Sequence, residues 1–224
     1  MAEEDLNVNI KNQDVLSSKQ KGEIGLQAAM QMIPYVGGAL ATLYFGTKQE
    51  RRFNRLISFY EEVANELRAM KEPVVSIDKH NQEALEAIIE TLNEKVEIEH
   101  LEEKRRLLKN YLKNTLLHPI TEDYDERKFF LETLGVMTLL ELEILGRLYS
   151  HTGDLKFQDL QPQKIDYYAL RGAIGRLESY GFVLIVLPGG PGAPVIQGKQ
   201  DDPLQQSFRL TGFGRKFGEF CLHA

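Results

Sequence analysis

One stretch without formal charge, Ile24–Gly46 (IGLQAAMQMIPYVGGALATLYFG), constrains the fold of this chain more than any other feature. As a continuous helix, its 23 residues would span about 34 Å, enough for a bilayer core of about 30 Å. Pro34 interrupts the hydrogen-bond ladder of such a helix, and Gly37-Gly38 offer a turn. We therefore predict two apolar helical arms, near Glu23–Ile33 and Ala39–Gly46, joined by this hinge.

Two interpretations of the hairpin stay open. Its small residues let helices approach closely, either in a membrane or oligomer contact or inside a soluble bundle. The predicted contact residues are Ile33, Pro34, Gly37, Gly38, Leu40, Leu43 and Phe45. A basic flank follows, formed by Lys48, Arg51, Arg52 and Arg55. It is positioned to meet anionic lipid headgroups in the first interpretation and forms a solvated face in the second.

The segment after the basic flank has the periodicity of an amphipathic helix. Apolar residues recur at steps of three and four from Phe53 to Leu67. We assign no breaker between Ala39 and Met70, so the second arm and this helix can form one rod. The helix should end before Pro73, because the residue before a proline disfavours helical backbone.

Further helices are predicted before residue 120. Ser76 or Asp78 can cap a helix with an apolar stripe at Leu85–Val96, and a second apolar pattern runs over Leu101–Leu116. The dense charge run inside the second pattern is typical of a solvated helix face. We predict a polar arm at 1–21 and a helical hairpin or bundle domain at 22–120.

The C-terminal half changes character. Thr138 and Asp166 are predicted N-caps of two helices, with a short segment between them, and Gly181 is placed to end the second helix. A strand is predicted at Phe182–Leu187, followed by a Gly/Pro-rich loop. A second strand at 206–210 then leads into a last helix capped by Thr211. The fold class is therefore mainly α, with a smaller α+β domain at 121–224.

This order of elements is that of a winged helix-turn-helix domain. The sequence LRGAIGRLESYGFV resembles the recognition helix and first wing strand of bacterial winged-helix proteins. FRLTGFGRKFGEFC resembles their closing strand and helix, in which a Leu-Thr pair precedes a Gly and a basic residue. The resemblance covers roughly Thr138 to Cys221 and implies a winged-helix fold.

A DNA-reading winged helix would use the exposed face of the helix at 166–180. Arg171 and Arg176 are the residues there that suit phosphates or guanine edges, and Lys199 is the base in the wing. Asp201 and Asp202 oppose that lysine, which departs from a typical DNA-binding wing. The pattern favours protein contact over DNA contact.

Composition and motifs favour a protein that is not an enzyme. The net charge of −6 is divided evenly, with −3 in residues 1–120 and −3 in residues 121–224, so neither half is a basic module. Cys221 is the single cysteine, which excludes an intramolecular disulfide and a cysteine metal cluster. The five histidines have no metal-ligand spacing. We predict no catalytic residue, no metal and no cofactor.

The functional prediction combines these parts. A glycine-containing apolar hairpin, a basic flank, a charged helical stalk and a winged helix together are similar to uncharacterised bacterial proteins of stress or phage-defence type. From the residues we predict a cytoplasmic homo-oligomer, at the inner face of the membrane if the hairpin contacts lipid, with a protein partner at the winged helix. The alternative is a DNA-binding transcriptional regulator that dimerises through its helical half.

Overall fold

The computed structural model describes residues 47–70, 75, 79–160, 165–186 and 206–223. Within these residues the chain is mainly helical and carries one small antiparallel sheet of three strands, in agreement with the predicted mainly α class. Two compact units are distinguished: 1–98 together with 115–121, and 99–114 together with 122–224. The predicted domain limits stay predictions.

The first unit contains helices α1 (Thr47–Ala69) and α2 (Gln82–Ile98), which pack against each other, and the end of α3 (Glu102–Leu117). An apolar stripe of α1 and of α2 is buried, as the periodicity predicted. The buried residues are Leu56, Phe59, Tyr60, Val63, Ala64, Ala84, Leu85, Ile88, Ile89, Leu92 and Val96. The buried Tyr60 hydroxyl donates a hydrogen bond to Asn93 Oδ1 at 2.6 Å. Burial also raises the pKa of Tyr60.

The start of α2 corrects one expectation. Because the helix begins at Gln82, neither Ser76 nor Asp78 is its N-cap. The side chain of Asn81 takes that role, since its Oδ1 accepts a hydrogen bond from the Ala84 N–H at 3.2 Å. The Asn81 N–H itself donates to the carbonyl of Ile120 at 3.0 Å, which fixes where the chain enters the helix. The end of α1 at Ala69 lies before Pro73, as predicted.

The second unit holds the remaining elements and the first part of α3. In chain order they are α4 (Tyr124–Val136), α5 (Leu139–Ser150), β1 (Leu155–Lys156), α6 (Phe157–Leu160), α7 (Tyr167–Ser179), β2 (Val183–Val186), β3 (Ser207–Leu210), α8 (Gly212–Phe217) and a π-helical turn (Gly218–Leu222). Helix α4 was not predicted. Its buried residues Phe130, Leu131 and Leu134 share their helix with a buried arginine, Arg127, which blurs the apolar pattern.

The predicted boundaries in this half are confirmed by cap geometry. Thr138 Oγ1 accepts from the Glu141 N–H, and the Glu141 carboxylate accepts from the Thr138 N–H, which is a capping box. The Asp166 carboxylate accepts from two N–H groups of α7, and Thr211 Oγ1 accepts from the Gly214 N–H. Gly181, with a φ of 74°, ends α7 in the left-handed conformation that favours glycine.

The sheet has the order β1–β3–β2, and both pairings are antiparallel. Phe208 of the central strand lies opposite Leu155 on one side and Ile185 on the other. It is almost completely buried, and its ring is 6.3 Å from that of Phe157. The burial of Phe208 therefore helps to fix the register in which all three strands pair.

Aromatic rings join α4, the residue before β2 and α8 in the core of this unit. The ring of Phe182 is 4.5 Å from that of Phe217, and the ring of Phe130 is 5.4 Å from that of Phe217. Gly214 allows this close packing, because a Cβ there would lie 2.3 Å from the Phe182 carbonyl oxygen. Helix α8 can approach the Phe182 carbonyl this closely only with a glycine.

Two asparagines of α3 hold the C-terminal turn. Asn110 Nδ2 donates to the carbonyls of Cys221 and Leu222 at 3.3 and 3.4 Å, and Asn114 Nδ2 donates to the carbonyl of Phe220 at 2.9 Å. These bonds satisfy carbonyl groups that the end of a helix leaves without partners. Cys221 is fully buried beneath them, and burial raises the pKa of its thiol well above the usual value.

None of the described helices combines the length and the apolar character that crossing a bilayer requires. The uncharged segment Ile24–Gly46, on which the membrane prediction depends, lies outside the described residues.

Candidate interaction surface

Helix α7 presents an exposed face that its own sequence creates. Leu170, Ala173, Ile174 and Leu177 are buried at helical spacing, which turns the opposite side of the helix to solvent. Six of the exposed residues are called the α7 face from here on: Tyr168, Arg171, Gly172, Gly175, Glu178 and Ser179. Ala169 and Arg176 are exposed beside them. Tyr168 is 76% exposed, the largest exposure among the large hydrophobic residues of the described chain.

The middle of the α7 face is bare backbone. A Cβ atom at Gly172 or at Gly175 would meet no atom within 4 Å. Neither glycine has a positive φ, so no backbone conformation demands it. A glycine inside a helix is less stable than alanine by about 1 kcal/mol. What the two glycines provide is room for another backbone to come close.

Arg176 lies next to this face but is engaged within the molecule. Its Nε is 2.9 Å from Oε1 of Glu141, and its Nη2 donates to the carbonyl of Val136 at 3.2 Å and to the hydroxyl of Tyr180 at 2.9 Å. The sequence analysis named this arginine as a candidate nucleic-acid contact. The structure places it against a carboxylate and a helix end.

The partner carboxylate is buried, because the Glu141 side chain is only 1% exposed. Its Oε2 accepts from the Thr138 N–H at 2.6 Å and from Thr138 Oγ1 at 2.9 Å. A buried charge needs a counter-charge, and Arg176 supplies it. Sequence reasoning identified Thr138 as a cap but missed Glu141, although the spacing Thr-x-x-Glu is the signature of a capping box.

A second arginine near the sheet is neutralised in the same way. Arg209 of β3 donates through Nε and Nη2 to both carboxylate oxygens of Asp154, at 2.5 and 3.0 Å. These hydrogen bonds, with the positive charge of Arg209, hold the pKa of the Asp154 carboxyl below its usual value. Bidentate pairing of this kind fixes the arginine in place.

Little net charge is left on the α7 face. Arg171 is exposed and forms no ion pair with any described residue, and Glu178 is its only charged companion there. One positive and one negative side chain cancel. A surface that binds phosphates uses several uncompensated cations.

The other predicted site residues are distributed as follows. Ile33, Pro34, Gly37, Gly38, Leu40, Leu43, Phe45 and Lys199 lie outside the described residues. Lys48 lies within α1, and Arg51 and Arg52 are exposed on the same helix. Arg55 is engaged, because its Nε donates to the carbonyl of Glu97 at the end of α2 at 3.0 Å. The basic flank is therefore not a uniform row of free cations.

Groups capable of catalysis are scattered in the described part of the chain. No three His, Cys, Asp or Glu side chains there are close enough to hold a metal ion. His80 is buried and accepts a hydrogen bond from the Ile120 N–H through Nδ1 at 3.2 Å, which is a structural role. Cys221 is sealed in the core.

Comparison of the chain with protein-family models, with curated proteins and with solved structures gave no match. The role of the α7 face therefore follows from its geometry and charge.

Proposed function

We propose that this chain is a non-enzymatic, self-associating helical protein whose C-terminal half is a winged-helix module for protein contact. The order of elements supports the module: α5, β1, α6, α7, β2, β3 and α8 follow one another as helix, short strand, short helix, helix, two strands and helix. In such domains the helix at the position of α7 is the one that faces the binding partner.

The observation that carries the preference for protein over DNA is the internal pairing of Arg176 and Arg209. Both arginines have carboxylate partners, Glu141 and Asp154, at 2.9 and 2.5 Å. A guanidinium held in this way has fewer N–H groups free for a phosphate, and its charge is already compensated. Arg171 is then the one cation left on the α7 face of the described chain.

The partner we propose for the α7 face is a second copy of the chain. A two-fold interface must be complementary to itself. In an antiparallel pair of α7 helices, Arg171 of one copy faces Glu178 of the other, because the two residues lie about two helical turns apart on one side. Gly172 and Gly175 lie between them and allow the helices to approach closely.

Sedimentation velocity of the full chain tests this arrangement through a charge swap. Arg171→Glu or Glu178→Arg should each weaken self-association by about tenfold or more, since like charges then face each other. The double variant Arg171→Glu/Glu178→Arg should restore it. Gly175→Leu should block the contact, and Gly146→Leu, which fills an open glycine position on α5, serves as the matched control. Unchanged association in the single variants would exclude the α7 contact.

A DNA-binding regulator remains the second candidate, because Arg171 is exposed without an ion pair to a described residue and Tyr168 beside it can contact a groove. Fluorescence anisotropy with a mixed-sequence duplex at low salt distinguishes the two. Binding by the parent chain that weakens with salt and with Arg171→Ala favours the regulator. A parent chain that does not bind DNA rules it out.

The proposal keeps the hairpin Ile24–Gly46 as an oligomer or inner-membrane contact of a cytoplasmic protein, on the strength of its sequence. Co-pelleting with anionic and with neutral liposomes tests the membrane part. Deletion of residues 24–46 should abolish pelleting with anionic liposomes if the hairpin reaches lipid. Equal pelleting of the deleted and full-length chains would refute it.

A further inference from the structure

The outer edge of β2 has no strand beside it within the described part of the chain. The sheet order β1–β3–β2 places β2 at one side of the sheet, and its four residues are all apolar. Natural proteins usually protect such an edge with a charged side chain, a proline or a bulge, because its free N–H and C=O groups recruit other strands. Strand β2 carries no charge and no proline, and its register with β3 is continuous. Its sequence therefore leaves the edge able to pair again.

The backbone of β2 turns two of its residues toward this edge. The Thr211 N–H donates to the carbonyl of Phe182 at 2.9 Å, so the Phe182 carbonyl points to the β3 side. Because residues of an antiparallel strand alternate between its two sides, Leu184 bonds to β3 as well. The N–H and C=O groups of Val183 and Ile185 therefore point away from β3, to the outer edge.

Leu184 forms an apolar centre on the solvent side of this edge. It is 52% exposed and lies opposite Arg209 of β3. The guanidinium of Arg209 is held by the carboxylate of Asp154, which precedes β1 on the far side of β3 from β2. The charge across from Leu184 is thus compensated and directed away from β2. A strand that approaches the edge at Leu184 therefore meets apolar surface.

We propose that β2 pairs antiparallel with β2 of a second copy of this chain, about a two-fold axis at Leu184. In this register Val183 of one protomer lies opposite Ile185 of the other. Every outward N–H group of the two residues then meets an outward C=O group. The two Leu184 residues lie opposite each other in a pair without hydrogen bonds, with their Cα atoms about 4.5 Å apart. The two three-stranded sheets become one continuous sheet.

Self-complementarity selects a second copy over another extended segment. A two-fold contact requires a surface that is complementary to itself, and the edge meets this condition in its hydrogen-bonding groups and in its exposed leucine. Only a copy of β2 brings an equally exposed apolar side chain to the position facing Leu184 with a compensated arginine behind it. Cross-strand contact between two leucines then removes apolar surface of both protomers from water.

The β2 contact goes beyond the α7 contact proposed above, because β2 contributes no residue to the α7 face. Two different two-fold contacts on one chain produce assemblies larger than a dimer. Each contact can be removed by its own substitution, so the two proposals stand or fall separately.

Cysteine cross-linking of the full chain tests the register. Leu184→Cys should form a disulfide-linked dimer under mild oxidation, because the Cα separation of the facing pair lies within the range of a disulfide. Ser150→Cys, at an exposed position of α5, is the matched control and should cross-link at least tenfold more slowly. Cys221 is buried and common to both variants. Equal cross-linking of the two variants on a non-reducing gel would overturn the proposed register.

Opposite charges at position 184 test whether the occupant is a second copy. In a Gly175→Leu background, which removes the α7 contact, Leu184→Lys and Leu184→Glu should each weaken self-association at least tenfold, since like charges then face each other. An equimolar mixture of the two variants should associate again in sedimentation velocity. Unchanged association of the single variants, or a mixture that stays dissociated, would overturn the β2 contact. Failure of the α7 contact has a different signature, because Gly175→Leu alone would then leave association unchanged.

Discussion

Arg176 Nε lies 2.9 Å from Oε1 of Glu141, whose side chain is 1% exposed. The pair connects the last turn of α7 to the first turn of α5. A surface arginine thus compensates the charge of a buried carboxylate that also caps a helix. The arginine stabilises the fold from a position where the sequence suggests a ligand contact.

Removal of this arginine should destabilise the second unit. Arg176→Ala leaves the Glu141 charge buried with only its bonds to Thr138, and we expect a loss of about 1–3 kcal/mol in the free energy of unfolding. Arg171→Ala, an exposed arginine on the same helix, should change stability by less than about 0.5 kcal/mol. Urea denaturation followed by circular dichroism compares them. Equal effects of the two substitutions on the free energy of unfolding would show that the ion pair does not stabilise the fold.

The carboxyl of Asp154 should titrate at a lower pH than an ordinary aspartate. Hydrogen bonds from Arg209 and its charge lower the pKa of Asp154 in the folded state. The stabilisation from this pair is therefore present at neutral pH and is lost as the pH falls through the lowered folded-state pKa. NMR titration of the carboxyl carbon measures the midpoint. In Arg209→Gln the midpoint should move up toward that of an ordinary aspartate, and an unmoved midpoint would contradict the assigned cause.

Gly214 and Gly212 should respond oppositely to alanine. A Cβ at Gly214 would lie 2.3 Å from the Phe182 carbonyl oxygen and 2.9 Å from Leu210 Cδ1. Gly214→Ala should destabilise the protein by roughly 1–3 kcal/mol, because α8 must move away from Phe182 and Leu210. Gly212→Ala meets no atom within 4 Å and should be neutral or slightly stabilising. Thermal unfolding of both variants measures the difference. Equal unfolding midpoints would contradict the close approach of Gly214 to the Phe182 carbonyl.

The thiol of Cys221 should be unreactive in the folded protein. It is fully buried, and burial raises its pKa, so the thiolate that reacts is scarce. Labelling with 5,5′-dithiobis(2-nitrobenzoic acid) should be slow in buffer and rapid in denaturant. Asn110→Ala removes the bonds to the carbonyls of Cys221 and Leu222 and should accelerate labelling without global unfolding. Fast labelling of the parent chain would show that the C-terminal turn opens readily.

Local signals predicted much of the C-terminal half. Caps such as Thr138, Asp166 and Thr211 act within three residues of their partners, so the sequence alone is enough to find them. The strands around Phe208 and Val183 were also found, because continuous apolar runs bounded by turn residues are short-range patterns.

Long-range pairs escaped the sequence reasoning. Glu141 and Arg176 are separated by 35 positions in the sequence, and Asp154 and Arg209 by 55. No periodic pattern connects residues so far apart. The sequence therefore shows only the helix or strand that holds each arginine, and not its carboxylate partner.

The central position of β3 has a consequence for the order in which this unit can assemble during synthesis. Both β1 and β2 pair only with β3 among the described strands, and β3 is the last of the three to leave the ribosome. Until residues 207–210 emerge, β1 and β2 have no strand to pair with, although the helices between them can already form. Chains that stall before Ser207 should be the ones that aggregate, because unpaired edges recruit other strands.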